Sequence, residues 1–179
     1  MKKVLRGVMV FMLSISVLLT LSSCHMKESY KKFNIKNITE NITDEYFTSD
    51  VFSFAKVQNV VIIPEVKAIN HNEYVVYVSA YSKSGEETVS VKKVTFKEET
   101  SVLESNKLDG KIEFKENEQL LYEGWVKVGP FREEKLKMAD GKIYNLIIEI
   151  DVESNDSVVS KEMIFEVEVK GYKSWVFQT

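Results

Sequence analysis

The sequence predicts an all-β chain, folded as an antiparallel β-sandwich of about seven to nine strands behind a polar N-terminal tether. Three observations carry this. From residue 57 to the C-terminus the apolar residues recur with period two, which lines one face of a strand. Turn signals interrupt the pattern at short spacing: Ser84-Gly85, Asp109-Gly110, Asp140-Gly141 and Lys170-Gly171. No long helical pattern occurs after residue 23, with at most a short strand or helical turn near the end of the spacer, so there are too few helical segments for the crossovers that join parallel strands.

Residues 57–66 read as the first strand, with Pro64 pushing it toward a sheet edge or a bulge. Residues 74–81, Tyr-Val-Val-Tyr-Val-Ser-Ala-Tyr, are rich in β-formers. Residues 88–96 form a third strand. Its apolar phase moves by one residue across Lys92-Lys93, the mark of a β-bulge. A short strand over 111–115 follows the Asp109-Gly110 turn. Residues 119–128 form the next strand, and Gly129-Pro130 is expected to end it. Residues 131–138 fit neither period. Residues 142–152 alternate cleanly, with Tyr144, Leu146, Ile148, Ile150 and Val152 on one face; Met163, Phe165, Val167 and Val169 do the same in the following strand. A last short strand covers 172–177. An antiparallel sandwich, Ig-like or similar, accommodates this order, with a barrel as the nearest alternative. Charges in the opposite phase, Lys92, Glu113, Glu149, Glu166 and Glu168, belong on solvated outer faces.

The first 23 residues have another character. Lys2, Lys3 and Arg6 give three positive charges in the first six residues. An uncharged run of 14 residues follows over 8–21. It is shorter than the roughly 20 residues of a spanning helix. A basic start, a short apolar stretch and small residues before a cleavage point make a secretory signal. Leu21-Ser22-Ser23-Cys24, at the end of that signal, resembles the lipobox of bacterial lipoproteins. The resemblance covers only these 24 residues. It implies cleavage between Ser23 and Cys24 and a thioether-linked diacylglyceryl group on Cys24. Two acyl chains give a stable membrane anchor where one gives a reversible one. His25 stands where an aspartate often retains such proteins at an inner membrane, so the resemblance implies an exported, membrane-anchored protein, at the outer membrane if the cell has one.

Three segments are therefore expected: a signal over 1–23, the lipidated cysteine and a polar spacer over 24–50, and a β-sandwich over 51–179. Cys24 is the sole cysteine, so no internal disulfide can form and the core alone must stabilise the fold. Removing 23 residues and their three positive charges from 24 Lys and Arg against 27 Asp and Glu leaves a formal charge of about −6. That balance opposes nucleic-acid binding, which needs a concentrated basic surface. Tyr46, Phe47, Val51, Phe52 and Phe54 form the apolar cluster through which the spacer is expected to dock onto the body.

Catalytic groups are scarce, and no catalytic residue or cofactor is assigned. His25 lies beside the anchor and His71 in a turn sequence, Asn70-His71-Asn72. Neither a Gly-x-Ser-x-Gly elbow nor a phosphate-binding glycine loop occurs. Glu86-Glu87, Glu98-Glu99 and Glu133-Glu134 are sequence neighbours that point to opposite faces of a strand, so they read as surface charge. Asp151, Glu153, Asn155 and Glu162 match part of an EF-hand calcium loop, but Asp156 stands at the glycine position and both flanks have strand period. A polar hairpin loop is the simpler expectation there. Among the aromatics, Trp125 and Trp175 are expected in the core, and Tyr122 and Tyr172 on a candidate binding surface. The expected function is a non-enzymatic, membrane-tethered module that binds another envelope or secreted protein, either as an assembly component or to neutralise a toxin. An envelope binding protein for carbohydrate, lipid or a metal ion is the alternative.

Overall fold

A computed structural model describes residues 24–38, 42–70, 72–99, 101–105, 108, 110–117, 121–133, 136–155 and 157–177, with side chains between 31 and 171. The chain divides into two units. One contains 24–30 and 172–177; the other, 31–171, holds the sandwich and is described below.

Among the described residues, eleven strands form two antiparallel sheets. In chain order they are β1 (Cys24–Ile35), β2 (Lys56–Val57), β3 (Val60–Asn70), β4 (Glu73–Ser82), β5 (Thr88–Glu98), β6 (Ser101–Glu104), β7 (Gly110–Ile112), β8 (Lys115–Glu116), β9 (Tyr122–Arg132), β10 (Ile143–Ser154) and β11 (Ser157–Phe177). A helix, α1 (Asp44–Thr48), and a 3-10 segment (Asp50–Ala55) precede β2. The larger sheet has the order β1-β11-β10-β5-β6, with β7 also on β5; the smaller runs β2-β3-β4-β9-β8. The count exceeds the expected seven to nine because β2, β7 and β8 are only two or three residues long, too short to show a period.

The alternating residues named above build the core. Tyr144, Leu146, Ile148, Ile150 and Val152 of β10 and Met163, Phe165, Val167 and Val169 of β11 are all buried. They meet Ile62, Val76, Val78 and Val128 of the smaller sheet in one apolar cluster. Full burial of such a side chain stabilises the fold by about 1.5–3 kcal/mol. Edge-to-face contacts link Phe33 to Tyr74 (5.3 Å), Tyr74 to Phe96 (5.9 Å) and Phe96 to Phe131 (5.2 Å). The bulge in β5 is present: Glu149 faces Lys93 and Ile150 faces Val91, leaving Lys92 as the extra residue.

Six expectations are corrected. The strand expected over 57–66 breaks at Gln58, whose φ of +51° turns β2 back onto β3. Residues 31–38 do not act as spacer, because β1 joins the sheet beside β11 and Phe33, Ile35 and Ile38 pack against the core. The strand expected over 111–115 is split: β7 pairs with β5 in the larger sheet and β8 with β9 in the smaller. β9 continues through Gly129-Pro130, since a register shift between Tyr74 and Val76 of β4 absorbs the pair and restores Phe131 opposite Tyr74. β11 runs unbroken through Lys170-Gly171. Glu87 and Glu133 are not surface charges. Glu87 is buried beneath the β4–β5 turn, where it accepts from Ser82 Oγ and Ser84 Oγ. Glu133 is nearly buried and pairs with Lys31 of β1. The Tyr74 hydroxyl lies buried without a hydrogen bond of good geometry; burial, then the Glu133 charge, push its pKa up.

Candidate interaction face

The outer face of the smaller sheet is half covered and half open. Over one end lie α1 and the 3-10 segment. Tyr46 of α1 is buried and stacks on Phe52 at 4.0 Å, and Ile42, Val61 and Leu121 complete a second small core with Ile63 and Tyr81 at its margin. Tyr46 and Phe52 thus dock the N-terminal segment as expected, whereas Val51 remains 70 % exposed. Ser49 Oγ caps the 3-10 segment by accepting from the Val51 amide at 3.2 Å.

The other end carries Trp125 of β9, 59 % exposed. Its ring meets Tyr77 of β4 edge-on, with centroids 5.6 Å apart at 65°. Lys67 Nζ of β3 lies 5.1 Å from the Tyr77 ring centre and 2.9 Å from Glu65 Oε2. The hydrogen bond to Glu65, then its charge, raise the Lys67 pKa. The arrangement is an aromatic pair held on two adjacent strands and rimmed by charge from a third, suited to burying apolar surface against a partner.

Trp125 therefore faces solvent, not core. Gly124, Val126 and Val128 share the inward phase of β9, so Trp125, one residue out of that phase, must point outward. That phase was readable in the sequence; the size of the indole argued the other way. Tyr122, the expected surface residue, is in the inward phase and half-buried. A Cβ placed at Gly85 would meet its ring at 2.5 Å, so Tyr122 closes the β4–β5 turn. The side chain of Tyr172, like those of Cys24, His25 and Trp175, lies outside the described residues, as do Ser23, the whole 1–23 segment and His71.

The partial calcium motif is spread along two extended strands. Asp151 faces Ser160 and Glu162 faces Glu149 across the β10–β11 ladder, while Glu153 and Asn155 are exposed. Asp151 accepts from Ser160 Oγ at 2.6 Å and pairs with Lys92 at 3.3 Å. The Ser160 hydrogen bond leads the causes that lower its carboxyl pKa. These four residues do not converge as a chelating loop requires, and no group of three potential ligands gathers among the described residues.

A shallow cleft of about 490 Å³ opens beside the covered end, lined by Asn37, Ile38, Val51, Phe52 and Phe54. Among the described residues no helix is long and apolar enough to cross a membrane. The chain matches no known protein-family profile, no curated protein and no solved structure.

Proposed function

We propose that this chain is an exported lipoprotein, anchored through Cys24, that acts without catalysis by docking another envelope or secreted protein on the outer face of its five-stranded sheet. One observation carries the docking reading: Trp125 is 59 % exposed, yet held edge-on against Tyr77 on a sheet. Trp and Tyr are the side chains that most often dominate binding energy at protein interfaces, because they bury a large rigid surface at small entropic cost. The anchor reading rests on Leu21-Ser22-Ser23-Cys24 after a basic, apolar leader.

The test is affinity capture from native membranes with the full chain and with Trp125→Ala. A reproducible partner is expected with the wild type, retained about tenfold less by the variant. Equal recovery by both, or none by the wild type, removes this reading. Recovery of a secreted toxin rather than an envelope component would select the neutralising role over the assembly role. Mass spectrometry of the exported chain tests the anchor, with diacylglyceryl expected on Cys24 and an unmodified thiol refuting it.

The cleft lined by Ile38, Val51, Phe52 and Phe54 favours a second reading, a site for a small apolar ligand such as a lipid tail. A ligand of the native state raises the melting temperature. Fatty acid that raises it for the wild type but not for Phe54→Ser would support this reading.

A further inference from the structure

We propose that β3 pairs edge to edge with β3 of a second copy, antiparallel, about a twofold axis at Val66. β2 covers β3 only at Val60 and Val61. Beyond them, residues 62–70 have β4 on one side and, among the described residues, no hydrogen-bonded strand on the other. An open edge of this length is a template for another strand.

The side chains along this edge are self-complementary. The outward phase of β3 reads Ile63, Glu65, Lys67, Ile69. The Glu65 and Lys67 side chains are 58 % and 55 % exposed, and Ile69 is 48 % exposed although it sits at the bulge before the turn. Reversed about Val66, Glu65 of each copy lies opposite Lys67 of the other. Ile63 of each likewise lies opposite Ile69 of the other. Opposite charges and apolar pairs directly across a ladder stabilise it, and like charges destabilise it.

The same pattern rejects neighbouring registers. A slide of two residues one way sets Glu65 against Glu65, and the other way Lys67 against Lys67. Pro64 fits this arrangement. A strand proline is tolerated where its missing N–H faces the open side. That placement puts the backbone groups of residues 62, 64, 66 and 68 on the free edge. Val66 then exchanges both hydrogen bonds with its counterpart. Pro64 withholds one donor per copy, while its carbonyl still accepts from Ala68 of the second copy. A proline and two charges ordinarily blunt an edge; here they leave one register open.

Within one chain Lys67 already pairs with Glu65 at 2.9 Å, so a single charge swap disturbs the monomer as well as the dimer. Mixing two swaps separates these effects. The full-length chain in detergent is examined by sedimentation, with thermal unfolding to verify folding. The wild type is expected as a dimer. Glu65→Lys and Lys67→Glu, each placing like charges opposite one another in both reciprocal pairs, are expected to associate at least about tenfold more weakly alone. Mixed, they are expected to form a one-to-one heterodimer, since two lysines then face two glutamates although each chain keeps its internal repulsion. The double variant E65K/K67E is expected to dimerise like the wild type.

A monomeric wild type, a dimer insensitive to single swaps, or a mixture that fails to associate would overturn the proposal. The pairing does not rest on the docking role of Trp125. Trp125→Ala is expected to leave the dimer intact, so the two readings fail separately.

Discussion

Tyr81 shows how one side chain can bridge the covered and open halves of the smaller sheet. Its ring packs at the margin of the Tyr46 cluster, and its hydroxyl donates to Glu123 Oε1 at 3.2 Å. Burial, then the Glu123 charge, push its pKa up to about 12. A free tyrosine titrates near about 10. The neutral hydroxyl is thus the form the fold prefers. The linked stability is fully present below about 10 and is lost as pH rises through about 12. Glu123→Gln removes the charge but not the burial, so Tyr81 is expected to titrate at lower pH yet still above a free tyrosine. Ultraviolet absorbance titration, with Tyr81→Phe to assign the transition, measures this. An unchanged midpoint in Glu123→Gln would show that burial alone sets the shift.

The β4–β5 turn shows the same logic across one element. Ser82 Oγ accepts from the amides of Ser84 and Gly85, both at 3.0 Å, and donates to Glu87 Oε2 at 2.5 Å. Ser84 Oγ adds a second bond to the same oxygen at 2.8 Å. Gly85 holds φ +70° with the Tyr122 ring against it, so a side chain there would meet both strain and a clash. Glu87→Ala leaves the buried Ser82 hydroxyl without its acceptor and is expected to cost about 1–3 kcal/mol in urea unfolding. Glu87→Gln keeps a carbonyl acceptor and is expected to lose less; equal losses would refute the hydrogen-bond account. This network was not legible in the sequence, because strand alternation describes faces and not the folding back of a turn onto its own strand. β10 and the core-facing half of β11 were legible, since their apolar residues recur without interruption. In sequence Gly129-Pro130 reads as a stop, yet β9 continues to Arg132. The residues of β4 that absorb the irregularity lie some fifty positions away in sequence, and one strand's sequence does not contain its partner's register. Trp125 differs for another reason: the size of an indole points to a core, while the phase of β9, which decides, points it to solvent.

At the scale of the whole molecule, the two proposed surfaces share one sheet. Pairing through β3 would join two five-stranded sheets, in the order β9-β4-β3-β3-β4-β9 across the axis. A twofold axis perpendicular to the sheet keeps both outer faces on the same side, so both Trp125 side chains would be presented together. Five strand spacings of about 4.8 Å set the two β9 strands about 24 Å apart. Trp125 lies level with Ile63 through Ser79, three residues from the axis, so the two indoles are also offset by about 20 Å along the strands and stand about 31 Å apart. A partner that displays repeated sites at that spacing would meet two aromatic pairs at once, and the second contact would form at a high effective concentration. Anchoring at Cys24 would favour the dimer further by confining copies to one surface. The expected consequence is kinetic. Wild-type chain should dissociate from a dense array of the captured partner more slowly than Ile69→Lys, which breaks the Ile63–Ile69 pairs across the axis and leaves Trp125, Tyr77 and Lys67 in place. The two should dissociate alike from the isolated, monovalent partner. Interferometry at high and low partner density separates these cases. An Ile69→Lys chain that dissociates faster even from the monovalent partner would place Ile69 in the docking surface itself and remove the bivalent account.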